Sequence, residues 1–173
     1  MRQIEIRLDP ALVESLLKTI RPVLDALQDE LATPAEFPDD DELLEDFWTS
    51  DLLNSQREEL KIIENLFDDE FMLSGRALIA ADEMDKVIRA CSAIRLKLRE
   101  RMLEPIGDSQ LEEGNLEGVE WTDELQIGYA AYALFASLQE LIISQLSEPV
   151  EDGSESEDDP DWSADDEDLE DER

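Results

Sequence analysis

"KVIRACSAIRLKLRERM", Lys86 to Met102, is the stretch on which the reading of this chain turns. It holds six basic side chains in a protein with 14 Lys and Arg, 48 Asp and Glu and no His. An α-helix advances about 100° per residue. With Met84 at zero, Val87, Ile88, Cys91, Leu98 and Met102 fall within roughly 60° of it, and Arg95 falls at about 20°, inside the same apolar stripe. Lys86, Arg89 and Lys97 fall on the opposite side, Arg101 and Ile94 on one flank, and Arg99 on the other. The spacing predicts an amphipathic helix from about Asp82 to Glu104, ended by Pro105. What looks like one basic patch thus divides into a solvated face, Lys86, Arg89 and Lys97, and an arginine aimed at a core.

A guanidinium facing a core needs a partner, because an unpaired buried charge is costly. Its planar fork suits a carboxylate. Asp51 is the preferred partner, with Glu64 and Glu140 as alternatives, and the pair would lock two helices together. The competing reading makes Arg95 a ligand- or partner-binding residue in a cleft.

Outward from this helix, the pattern predicts a small, mostly α-helical bundle. Ile4, Ile6 and Leu8 alternate with Gln3, Glu5 and Arg7, as in a short half-exposed strand. Asp9 and Pro10 then read as an N-cap and a first-turn proline. Apolar residues from Val13 to Leu31 recur at helical spacing around Pro22, which predicts a kinked helix from about Pro10 to Leu31. "TPAEFPDDD" reads as a linker. A short helix is expected near Glu42–Trp48, and Thr49-Ser50-Asp51 as the cap of a longer one carrying Leu52, Leu53, Leu60, Ile63 and Phe67 on one face. Gly75 is a breaker, with a short strand at Ala77–Ile79 that could pair with the first. A glycine-containing loop, "IGDSQLEEGNLEGVE", leads to a last helix from about Trp121 to Leu146. That helix is the most apolar element, and its small residues, Gly128 to Ala136, suit it to the centre of the bundle.

From Glu148 the composition changes. These 26 residues hold 15 acids and one base, so the segment 148–173 is expected to be a disordered acidic tail beside a helical domain of residues 1–147. Trp162 and Leu169 are sparse apolar anchors in that tail, of the kind that bind basic grooves; the plainer alternative is a solubilising tail.

A net charge of −34 repels phosphate backbones, so direct nucleic-acid binding is not expected. Basic proteins, basic segments or divalent cations fit better. The single cysteine, Cys91, excludes an intramolecular disulfide and suits a reducing compartment. The run Ile127–Leu138 is too short to span a bilayer, and no targeting signal is visible, so the expectation is a cytoplasmic protein off the membrane. Without histidine there is no histidine base or Ser-His triad, and one cysteine makes no zinc ribbon. No glycine-rich phosphate loop occurs, and Glu113 stands where a calcium loop begun at Asp108 needs glycine. No cofactor or metal is expected, and no enzyme activity.

Several segments, in order, resemble a bacterial domain-of-unknown-function family numbered 2017. "AIRLKLRERM" is similar to its arginine helix through Arg95, Leu96, Leu98 and Arg101. "EFPDDDELLEDF", "TSDLL" and "ALIAADEM" are similar to the elements before it. "YALFASLQELII" is similar to its last segment through Tyr132, Phe135, Leu138 and Gln139. The resemblance spans most of Met1–Leu146. It implies a small cytoplasmic bacterial protein with no known catalytic machinery; some members are oxidative-stress regulators that sense redox state through a cysteine pair and bind a sigma factor. With Cys91 alone that switch is absent, so the fold and a general regulatory role carry over and redox sensing does not.

The leading functional expectation is a non-enzymatic regulatory or adaptor protein that binds a partner with a basic surface. The alternatives are an anion or small-ligand binder, or enzyme, built on Arg95 and Arg101 with Tyr132 and Gln139 nearby, and an acidic nucleic-acid mimic.

Overall fold

Alternation places Ile4 and Ile6 on the buried side of β1 (Gln3–Arg7) in the computed structural model, which describes residues 3–34 and 42–147. β1 pairs antiparallel with β2 (Arg76–Ala80), so that Ile4 lies opposite Ile79 and Ile6 opposite Ala77, all four buried. The outward side carries Glu5, ion-paired with both Arg7 and Arg76. The expected two-stranded element is therefore formed, on an otherwise mainly helical body.

The Asp9 carboxylate accepts hydrogen bonds from the Ala11 and Leu12 amides and opens α1 (Pro10–Thr19). The expected kink is a full break. Ile20 closes α1 and starts α2 (Arg21–Asp29), with Pro22 in the new first turn. Pro22 has no N–H, and its ring would strike the carbonyl of Lys18 in a continuous helix.

Where two helices were expected there is one, α3 (Glu42–Leu66), and Thr49, Ser50 and Asp51 lie inside it. Residues that favour a cap lose only a few tenths of a kcal/mol within a helix, and no Gly or Pro stands there to stop it. α4 (Asp69–Ser74) starts with Asp68 accepting from the Phe71 amide and ends at Gly75, whose φ of 68° turns the chain into β2. α5 (Met84–Arg101) is the arginine helix. The loop after it contains a short helix absent from the sequence reading, α6 (Asp108–Glu113). α7 (Asp123–Ser147) is the last described element.

α5 is the central helix, rather than α7. It packs against α7, α3 and α2, whereas α7 packs against α5 and α1. Apolar composition pointed to α7, but the last turns of α7 leave Leu141, Ile143 and Leu146 exposed. Val87, Ala90, Cys91, Ile94 and Leu98 of α5 meet Phe135 and Ile142 of α7, Leu27 of α2 and Ile63 of α3 in one core. Gly128 allows the close approach of the end of α5: a Cβ there would stand 3.1 Å from that of Met102. α7 has the length and composition of a membrane-crossing helix, yet 39% of its most apolar window is buried in this core, a packing compatible with a soluble protein. The expected tail, with Trp162 and Leu169, lies outside the described residues, as does most of the linker after Thr33.

Candidate functional site

Arg95 meets no carboxylate. Its Nη1 donates to Gln139 Oε1 at 2.5 Å and its Nη2 to the Tyr132 hydroxyl at 2.8 Å. The guanidinium also lies 4.6 Å from the centre of the Tyr132 ring. Its Nε is buried with no hydrogen-bond partner. Gln139, itself buried, donates from Nε2 to the Ile88 carbonyl and Ser92 Oγ, so α7 holds both the arginine and the helix that bears it. Three of the four residues singled out as contacts, Arg95, Tyr132 and Gln139, thus form one cluster.

The expected Arg95–Asp51 ion pair is not formed. Helical phase gives the direction of a side chain but not the neighbour that waits there. α5 lies between α3 and α7, and Arg95 points to α7, whereas Asp51 sits exposed on the first half of α3. Glu64 reaches toward Arg21 instead. Glu140 lines a groove beside Arg95 without pairing with it. Arg95 is the only arginine among the described residues without a carboxylate partner.

Arg101 leaves the cluster. Its Nη2 donates to both oxygens of Glu30 at the end of α2. Lys97, placed on the solvated side by helical phase, is 3% exposed. α2 covers that side of α5, so the lysine stem is buried while Nζ reaches Glu30 at 3.1 Å and Glu100 at 2.8 Å. The Lys97 hydrogen bond, then its charge and that of Arg101, hold the Glu30 carboxyl below its ordinary range. Burial pushes the Lys97 ammonium down, but the hydrogen bonds to Glu100 and Glu30 outweigh it and leave its pKa raised. Lys86 and Arg89 are exposed as expected, and Arg89 pairs with Glu59 of α3 at 2.6 Å. Burial pushes the Cys91 thiol up to about 12, so it is protonated packing at neutral pH.

A second surface escaped the sequence reading. No residue of α3 from Leu43 to Ser55 is buried; the first is Gln56. Leu52, expected in the core, is 44% exposed, and Phe47 and Trp48 are 65% and 45% exposed. The two rings meet edge to face, centroids 6.1 Å apart. Trp48 and Leu52 are four residues apart and share a side of the helix. Every charged residue from Glu42 to Gln56 is acidic: Glu42, Glu45, Asp46 and Asp51. The signal for it is the apolar-plus-acid pattern of "ELLEDFWTSDLL", in which Thr49-Ser50-Asp51 reads locally as a cap and splits a continuous helix in two.

The remaining grooves differ in character. The one between α1, α2 and α3 is lined by Leu17, Leu24, Leu60, Ile63 and Phe67 with Arg21 and Glu64 at its edge. No group of three or more potential metal ligands occurs among the described residues. The chain matches no protein-family model, no curated protein and no solved structure.

Proposed function

We propose that this chain is a non-enzymatic regulatory or adaptor protein of the bacterial cytoplasm that acts by binding another protein. The observation that carries the reading is the first half of α3, with Phe47, Trp48 and Leu52 exposed among helix residues whose charges, up to Gln56, are all carboxylates; Arg89 of α5 lies beside Leu52, paired with Glu59. Aromatic side chains give large contact area for little conformational entropy and are enriched at binding hot spots. The acidic rim and the net charge of −34 select a partner segment that is apolar on one side and basic along its margins. The resemblance of the arginine helix and the last segment to a family with regulatory members supports the same reading, with a sigma factor as one partner of suitable kind.

The test compares wild type with a Phe47→Ser/Trp48→Ser double variant in affinity purification from the source bacterium and in titration with a synthetic leucine–lysine amphipathic helix. Wild type should retain a basic partner and bind the peptide with strong salt sensitivity, while the double variant, folded equally well by circular dichroism, loses both. Equal binding by the two proteins would overturn the assignment of the α3 surface.

A further inference from the structure

Beside the Arg95 cluster, α5, α6 and α7 enclose an open groove of about 410 Å³. This is within the range of small-molecule sites. Ala133 and Ala136 are part of its lining, with Tyr129, Tyr132 and Leu111 as larger apolar groups. α6 is held against α5 by the Arg99–Asp108 ion pair, which fixes the position of Leu111 and Glu112.

The charges that line this groove form no ion pairs, although Glu112 feels the Arg99 guanidinium, itself paired with Asp108. Arg95 is held by Gln139 and Tyr132, both neutral, so its orientation is set while its charge is not compensated. Only two of its N–H donors have partners. Glu112 and Glu140 also line the groove, and neither is within ion-pair distance of a basic side chain. Of the two half-buried arginines among the described residues, Arg99 has the Asp108 carboxylate and Arg95 has none, which in a protein with 48 acids leaves a vacancy for one. An anion alone would meet Arg95 and be repelled by the two glutamates. A ligand with both a carboxylate and an ammonium satisfies all three groups.

We infer that the groove binds a small zwitterion of the α-amino-acid type. Its carboxylate docks on the Arg95 guanidinium, its ammonium faces Glu112 and Glu140, and an apolar side chain covers Ala133, Ala136 and Tyr129. The inference is independent of the α3 surface, since the two lie on different elements and neither uses a residue of the other.

The test follows the Arg95 side-chain N–H signal by NMR in the full chain, with L-leucine, L-methionine and L-phenylalanine as probes. At least one should give a saturable shift. For the one that binds, the deaminated acid (isocaproate for leucine) and the decarboxylated amine (isoamylamine) should each bind roughly tenfold more weakly. Glu140→Gln, an exposed change that leaves the fold intact, should weaken the amino acid and not the deaminated acid. Arg95→Lys and Arg95→Met, followed through the Tyr129 and Tyr132 ring signals, should lose binding in that order of severity. The inference fails if none of the three saturates, if the deaminated acid binds as tightly as the amino acid, or if Arg95→Met binds like wild type.

Discussion

Gln56 offers the sharpest test of how this fold is held. α2 ends with carbonyls that have no helical partner. The Gln56 side chain, 8% exposed on α3, supplies the missing donors: Nε2 reaches the Leu27 carbonyl at 2.7 Å and the Glu30 carbonyl at 2.9 Å. Its Oε1 accepts from the Ala32 amide at 2.9 Å. Gln56→Ala removes all three bonds at once. A stranded buried group costs about 1–3 kcal/mol, and one that water reaches costs about 0.5 kcal/mol. The Leu27 carbonyl is buried, while the Glu30 and Ala32 groups are partly open, so the loss should be about 3 kcal/mol. For a domain of this size that lowers Tm by about 6–12 °C. Urea unfolding of the full chain should show a lower midpoint with unchanged slope. Glu58→Ala, an exposed neighbour on the same helix, should stay within about 0.5 kcal/mol of wild type. Gln56→Glu keeps the size but turns both donors into acceptors facing carbonyls, so at neutral pH it should destabilise at least as much as alanine. A Gln56→Ala protein within about 0.5 kcal/mol of wild type would refute the reasoning, since the three groups could then not depend on that side chain.

Further outcomes follow from other contacts. Arg95→Met should cost about 1–2 kcal/mol in urea unfolding, less than the roughly 3–5 kcal/mol of a broken buried ion pair, because no carboxylate is stranded; a larger loss would mean that a charge depends on it. The Glu30 carboxyl is depressed in the folded state, so its contribution is present above its unfolded pKa and is lost as pH falls through the folded value. Lys97→Met should therefore raise the Glu30 pKa in an NMR titration and flatten the loss of stability on acidification, leaving only the part that Arg101 maintains. Gly75→Ala and Gly114→Ala separate two costs: both place a side chain at a φ near +68°, but only at Gly75 does the new Cβ meet a backbone atom, Leu8 O, at 2.7 Å. Gly114→Ala should cost about 1 kcal/mol and Gly75→Ala clearly more, read from their thermal midpoints; equal values would show that β1 shifts freely.

The division of labour between sequence and tertiary structure is visible residue by residue. Period-two alternation was enough to place Ile4 and Ile6 on a buried strand side, and Asp9-Pro10 enough to start α1, because these signals depend on a few neighbouring residues. The apolar stripe of α5 and the distinction of Arg95 from Lys86 and Arg89 were likewise legible, since they need only the pitch of a helix. The same phase argument would have flagged Gln56, which lies between Leu53 and Leu60 on the stripe that continues to Ile63. What surrounds a helix is not local. Because α5 has neighbours on three sides, Lys97 is buried against α2 and Arg95 turns to Tyr132 and Gln139 of α7 rather than to Asp51 of α3. The continuity of α3, which leaves Phe47, Trp48 and Leu52 exposed on one helix, was likewise not legible locally, because no residue from Leu43 to Ser55 is buried by the packing that holds its second half. Sequence by itself determined the mainly helical class, the first strand, the start of α1 and the inward side of α5, while the extent of α3, the break at Ile20 and the short α6 were not legible in it. Only the tertiary structure decided which partner each side chain found, because that choice is made by long-range packing among elements far apart in the chain.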